Sequence, residues 1–292
     1  MKEKPKLWHD AALAASLDER SLALRHCMVD VLAAASRGHL GASASLMEIM
    51  RVLYDNILSF DPAHPDSPSR DRCILSKGHG CITQYVMLAD KGFFPKEKLS
   101  EFCHYNGLLG GHPCASKVPG MEASTGALGH GLPIGVGMAL ALRTDKNPAR
   151  VFVVMGDGEC NEGSVWEAAM SAAKHGLDNL VVLVDYNKFQ SYGETAEVVE
   201  LEPFAAKWRS FGFAVQEVNG HDVNDLREVL NKVPIKPGMP SAIICHTIKG
   251  KGFSFAEDNL EWHHKSNLTE ESLSGMYGTL KALSLDNKGS SS

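Results

Sequence analysis

Asp157 stands between two glycines in MGDGEC, residues 155–160, and Asn187 stands in VDYNKFQ, residues 184–190. A carboxylate and an amide oxygen suit a hard cation such as Mg²⁺, which prefers oxygen ligands and often shares them with a bound phosphate. Gly156 and Gly158 allow a sharp turn and the close approach of a diphosphate. A helix opening at Ser164 would direct its free amides at such an anion. A GDG turn by itself is also an ordinary way to end a strand, so the elements around it decide its meaning.

Those elements read as an α/β fold. Short apolar runs at Val151–Met155, Leu180–Asp185, Phe213–Val218 and Ala242–Thr247 alternate with helical patterns, which predicts a parallel sheet with helices on both faces. Ligands of such sheets bind beyond the carboxyl ends of the strands, and Asp157 and Asn187 both fall there, on successive strands. Ahead of them, RCIL reads as a further strand, and Ile82 to Lys91 as a helix. Ser16-Leu-Asp-Glu19 reads as a capping box for a helix ending near Arg37-Gly38. A second helix is expected over Ser45 to Leu58, and Leu132 to Leu142 fits a buried helix with close-packing glycines. The stretch from Tyr105 to Gly131 is rich in Gly, Pro and His, and structured loops of this length usually serve function. Residues 1–15 are expected to be an N-terminal extension, 16–285 a single domain, and 286–292 a disordered tail.

The chain has 292 residues, long enough for a substantial core. Its formal net charge of -6 offers no basic field for nucleic acid. Seven cysteines without a CxxC pair predict reduced thiols and a cytoplasmic location. No secretory signal is recognisable, and no apolar run is long enough for a bilayer.

Taken together, GDG, the downstream Asn187, Glu162-Gly163, Trp166-Glu167-Ala168 and Asp185 make a specific pattern, and the sequence resembles the thiamine diphosphate enzymes. Further segments resemble the transketolases in particular: SRGHLGASAS with His39, LSKGHG with His79, GGHP with His112, and PGMEASTGALGHGL. The likeness runs from about residue 16 to residue 268. It implies the thiamine diphosphate-binding fold, with Mg²⁺, or Ca²⁺ or Mn²⁺ in its place, held by Asp157, Asn187 and the Phe189 carbonyl. Gly156, Gly158, Glu159 and His79 would contact the cofactor, and Gly126 and Leu128 would border its aminopyrimidine. His39, His79 and His112 would serve the reaction, since imidazole exchanges protons near neutrality. Glu162 would join an acidic network between paired sites. One of His263 and His264 would be a further catalytic residue, with the spacing to Leu268 favouring His264. His130 departs from the family's usual Gln, and Trp166 reads as a structural Trp where many transketolases have a smaller residue.

The resemblance covers the family's diphosphate-binding domain alone. It therefore implies the N-terminal subunit of a split transketolase, which moves a two-carbon ketol unit from a ketose phosphate to an aldose phosphate. A separately encoded C-terminal subunit with the pyrimidine-binding domain would complete it, as a dimer of heterodimers. A related synthase, such as deoxyxylulose-phosphate synthase, is the nearest alternative. A non-catalytic interaction module that keeps the fold is another, and a dinucleotide-binding domain is weakened by the lack of a strand before TGALGHG.

Overall fold

Five parallel strands form the centre of the computed structural model, which describes residues 4–191 and 193–289. They are β1 (Arg72–Leu75), β2 (Val151–Gly156), β3 (Leu180–Tyr186), β4 (Ala214–Asn219) and β5 (Ser241–His246), in the order β1-β2-β3-β5-β4. Alternation along the strands supplies two cores. Phe152 and Val154 of β2, with Val181 and Leu183 of β3, face one; Val151, Val153, Leu180 and Val182 face the other. Both faces are thus apolar and must be covered, which explains why these strands read as unbroken apolar runs.

The first face carries α2 (Glu19–Ala35), α5 (Cys81–Asp90), α10 (Val223–Leu230) and α11 (Glu270–Gly289); the second carries α6 (Gly131–Thr144), α7 (Gly163–Lys174) and α9 (Phe204–Ser210), and a single turn, α8 (Thr195–Val198), precedes α9. A buried triad ties the first layer to the loop after β5. Arg25 and His221 both bond Glu48, and His221 Nε2 accepts from the Ile248 amide at 2.9 Å. That last bond fixes the His221 proton on Nδ1, facing Glu48. Burial would raise the Glu48 carboxyl, but Arg25 and His221 hold it far below the usual range.

Several expectations are corrected. The cap of α2 is Asp18, whose carboxylate accepts from the Ser21 amide at 2.8 Å, so the capping box of Ser16 and Glu19 does not form. The helix expected over 45–58 runs from Met47 to Ile57, as α4 (Met47–Val52) continued by a π-turn over Leu53–Ile57, and a separate short helix, α3 (Leu40–Ser45), precedes it. At the end of α3, Ser45 Oγ bonds Asp185 on β3 at 2.6 Å, a tertiary tie that competes with straight propagation. Helix α6 is buried on one face only, through Leu132, Gly135, Val136 and Ala139. Helix α7 opens at Gly163 behind a 3₁₀ turn over Gly158–Asn161. Within the expected extension, Lys4–Ala14 forms α1, whose Trp8 stacks on His246 with ring centroids 4.9 Å apart. Of the tail, residues up to Gly289 continue α11, and 290–292 lie outside the described residues.

Candidate active site

Register brings the two oxygen donors together. Gly156 pairs with Asp185 at the ends of β2 and β3, so the next residues of both strands leave the sheet side by side. Asp157 is buried, and among the described residues its carboxylate accepts only backbone amides: Gly158 at 2.7 Å and Lys188 at 2.6 Å. Burial, and then the charge of Asp185, push its carboxyl up to about 6. Asn187 uses its amide nitrogen on Asp185 at 3.2 Å, which turns its oxygen the other way. Among the described residues the Phe189 carbonyl accepts no hydrogen bond. A buried carboxylate short of positive charge, an oriented amide oxygen and an open carbonyl fit a hard cation by donor chemistry. No group of three His, Cys, Asp or Glu among the described residues forms a metal cluster, as expected of a set with one carboxylate.

These groups line a cavity of about 310 Å³. Its wall also includes Gly156, Gly158, Glu159, Glu162, Leu128 and His79. Two buried nitrogens in that wall, Gln190 Nε2 and His263 Nδ1, have no partner among the described residues, and both suit an oxygen-rich ligand. The cavity wall next to Asp157 comes from the 3₁₀ turn and Glu162, and Ser164 does not line it. Ser164 instead donates its hydroxyl to the Gly129 carbonyl at 2.8 Å. Glu159 is spent on structure: it accepts from the Gly129 amide at 2.9 Å, the Gly156 amide at 3.1 Å and Ser76. It clamps the 126–131 loop onto the β2 turn.

Five histidines cluster beside this cavity, His79 and His263 in its wall and His39, His112 and His264 in the wall of a second one. Ring centroids lie 4.5 Å apart for His39 and His264, 5.5 Å for His39 and His79, 5.7 Å for His39 and His263, and 6.2 Å for His39 and His112. An antiparallel bridge between Gly38 and Lys265 sets His39 against the 263–264 pair. Burial, then neighbouring imidazoles and Lys249, lower His39 to about 3; burial, then Lys249 and Lys77, lower His263 to about 4. His79 is also held well below its ordinary value, first by burial and then by Lys77. These rings are neutral near pH 7, so each can accept a proton through one nitrogen while donating through the other. His263 lines the first cavity and His264 a second one, so geometry places both beside His39. Gly126 borders His112 rather than the first cavity: a Cβ built on it would lie 3.0 Å from that ring.

Two lysines escaped the sequence reading. Lys77, at the end of β1, is buried against Asp185, and Lys249, at the end of β5, lines the cavity above the Phe189 ring. Burial and the Lys77 charge lower Lys249 to about 8. Both follow a strand and precede a glycine, in SKGHG and IKGKG. That strand-end position, which picked out Asp157, would have found them too.

A parallel sheet with a GDG turn and an Asn at adjacent strand ends, over a cavity fitted to a cation and an oxyanion, defines the class of thiamine diphosphate-binding domains. The chain belongs to the transketolase family within that class, for the family described as "Transketolase, thiamine diphosphate binding domain" matches residues 18–281. It is similar to a protein of Actinobacillus succinogenes named as one subunit of apulose-4-phosphate transketolase, 41% identical over 250 residues covering 85% of this chain and 90% of that one. It is also similar to 6-deoxy-6-sulfo-D-fructose transketolase subunit SqwG of a Clostridium species, 40% identical over 255 residues covering 87% and 92%. A solved transketolase from Pichia stipitis superposes with a TM-score of 0.83 at 29% identity, covering 91% of this chain and 41% of that one. The chain thus spans about two fifths of that solved transketolase and nearly all of the two relatives named as subunits.

Proposed function

We propose that the chain is the thiamine diphosphate-binding subunit of a two-subunit transketolase, which moves a two-carbon ketol unit from a ketose to an aldose. The observation that carries this is a cluster of five histidines around His39, two of which line the Asp157–Asn187 cavity. Asp157, Asn187 and the Phe189 carbonyl would hold Mg²⁺, with Ca²⁺ or Mn²⁺ able to replace it, and the cation would hold the diphosphate. Gly158 keeps the turn open, since a Cβ there would lie 2.7 Å from Gln190 Cγ. Lys249 adds positive charge to the cavity wall. Thiamine diphosphate, when bound, supplies the carbanion stabilisation that carbon–carbon cleavage and formation require.

The chain's own part is to bind, orient and move protons. His39, His79, His112, His263 and His264 surround the space where the substrate carbonyl and hydroxyls would lie, and neutral rings can pass protons in either direction. Leu128 gives the cavity an apolar wall, and Glu162 stands at its rim. Both named relatives are single subunits of transketolases, which supports a separate partner chain bearing the pyrimidine-binding domain. Sugar phosphates, in pentose phosphate or a related carbohydrate metabolism, are the proposed substrates. Ile134 and Leu140 of α6 and Met170 of α7 are exposed apolar residues on one side of the molecule, which supports assembly into a heterotetramer. No helix among the described residues is long and apolar enough to cross a membrane, and all seven cysteines are free, which supports a cytoplasmic location.

Calorimetric titration of thiamine diphosphate tests the cofactor assignment. Binding heat is expected when Mg²⁺ and the second subunit are present and is expected to vanish in EDTA. Absence of binding in both conditions would overturn it.

A further inference from the structure

Helix α1 lies ahead of the stretch that matches the family, residues 18–281, and among the described residues none of its side chains lines the Asp157–Asn187 cavity. Its hold on the domain is not chiefly apolar, for of its described side chains, 7–14, Ala12 alone is buried. An eleven-residue helix is marginal in water by itself, so specific ties decide where this one sits. The last four carbonyls of a helix have no partner within it, and two of these are taken from outside. Ala11 accepts from Asn219 Nδ2 at 3.1 Å and Leu13 from Lys251 Nζ at 2.6 Å, where the ammonium also meets the negative end of the helix dipole. Trp8 stacks within 5° of parallel on His246, whose Nε2 lies 3.0 Å from the Glu217 carboxylate. His246 lies 5.4 Å from the Tyr186 ring, and Lys188 Nζ sits 4.7 Å from that ring's centre. A continuous stack thus runs from α1 to Lys188, between Asn187 and Phe189. Lys188 has φ +68, a conformation that a residue with a side chain adopts only when its surroundings hold it, and its amide bonds Asp157. On the neighbouring loop, His9 Nε2 lies 3.4 Å from the Asp258 carboxylate, and the Asp258 amide donates to the Lys249 carbonyl at 2.9 Å.

We propose that α1 is a strap for the cofactor cavity, in which Trp8 and His9 are positioning residues for the 187–190 and 249–258 loops. The proposal rests on the cofactor assignment above for what fills the cavity, and on these contacts for the strap. Each residue acts through others. Trp8 works through His246, Tyr186 and Lys188 on the oxygen donors of Asn187 and Phe189, and His9 works through Asp258 on Lys249 in the cavity wall. Coupling between two sites is reciprocal, so a ligand that orders these loops also orders α1.

Two measurements test this, and they fail separately. First, in the complex with the partner chain and saturating Mg²⁺, calorimetry is expected to show thiamine diphosphate binding about tenfold weaker for Trp8→Ala, the size of an ordinary coupling between sites. Trp8→Phe, whose ring can still stack on His246, is expected to bind as the wild type does. Second, hydrogen exchange is followed in the full chain without ligand. In Trp8→Ala the amides of 187–190 and 249–258 are expected to exchange about tenfold faster while those of β2 keep the wild-type rate, and His9→Ala is expected to quicken 249–258 alone. In the wild-type complex, saturating cofactor is expected to slow exchange across α1. Equal affinity in Trp8→Ala, equal weakening in Trp8→Phe, or exchange that quickens as much in β2 as in the loops would overturn the proposal. If the wild-type complex binds no thiamine diphosphate, the cofactor assignment has failed and loop exchange without ligand decides the strap: faster exchange in Trp8→Ala upholds it, and an unchanged rate overturns it.

Discussion

Asp157 has few roles open to it as a protein side chain. Buried, bonded among the described residues to backbone amides alone and raised to about 6, it has the surroundings of the cation ligand that the proposed function makes it. Asp157→Asn should therefore abolish Mg²⁺-dependent thiamine diphosphate binding, a loss of about a hundredfold or more in affinity, as measured by calorimetry. Unchanged affinity would remove Asp157 from the cation site. The histidines lead to a different measurement. His39 and His263 sit at about 3 and 4 when folded, against 6.5 when exposed. Between pH 6.5 and about 4 the unfolded chain binds protons that the folded chain refuses, so stability should fall as pH drops through that window. Urea unfolding at a series of pH values should show this slope, and His39→Asn should flatten it; an identical slope in the variant would contradict the assignment. Asp157 and Asn187 stood out in the sequence by their places at strand ends, whereas the five histidines were singled out only by the resemblance to the transketolases, since a lone His reads as a structural or surface residue. Lys77 and Lys249 were singled out by neither, since an isolated lysine reads as a surface residue until the sheet buries it.

Strand ends do the positioning, and their cross-links decide how firmly. Lys77 after β1 and Asp185 on β3 meet under the cavity floor, both buried. Lys77→Met leaves Asp185 without its cation and should cost about 3–5 kcal/mol in denaturant unfolding. Adding Asp185→Asn should recover much of that loss; purely additive losses would mean the pair is not coupled. The 126–131 loop depends on glycine in a similar way. Gly129 has φ +80, and a Cβ on it would lie 2.6 Å from Glu162 Cβ and Ser164 Oγ. Gly129→Ala should lower the melting temperature by about 3 °C or more and weaken cofactor binding with it. Strands were the most legible elements, because burial on both faces writes itself as an unbroken apolar run. The break between α3 and α4 at Ser45 was not legible: its cause is a hydrogen bond to Asp185, a residue distant in sequence. Asp18 displaced Ser16 as the α2 cap for a reason equally invisible to pattern, since both residue types are good caps and the choice fell to the fold.

At the scale of the molecule, two cavities meet at one histidine cluster. The first is lined by Asp157, Asn187, His79 and His263, and the second by His39, His112 and His264. On the proposed function, this is one part of a reaction chamber that a second subunit would complete. Its apolar counterpart, the outer face of α6, looked like buried helix in the sequence because Ile134 and Leu140 are apolar whether another helix or another chain covers them. The most direct measurement adds the proposed partner chain stepwise to a fixed amount of this one, with thiamine diphosphate and Mg²⁺ saturating, and follows ketol transfer from ketose to aldose. The account predicts no transfer without the partner and a rise to a plateau at equal numbers of the two chains. Full activity of this chain alone, or none at any ratio, would contradict it.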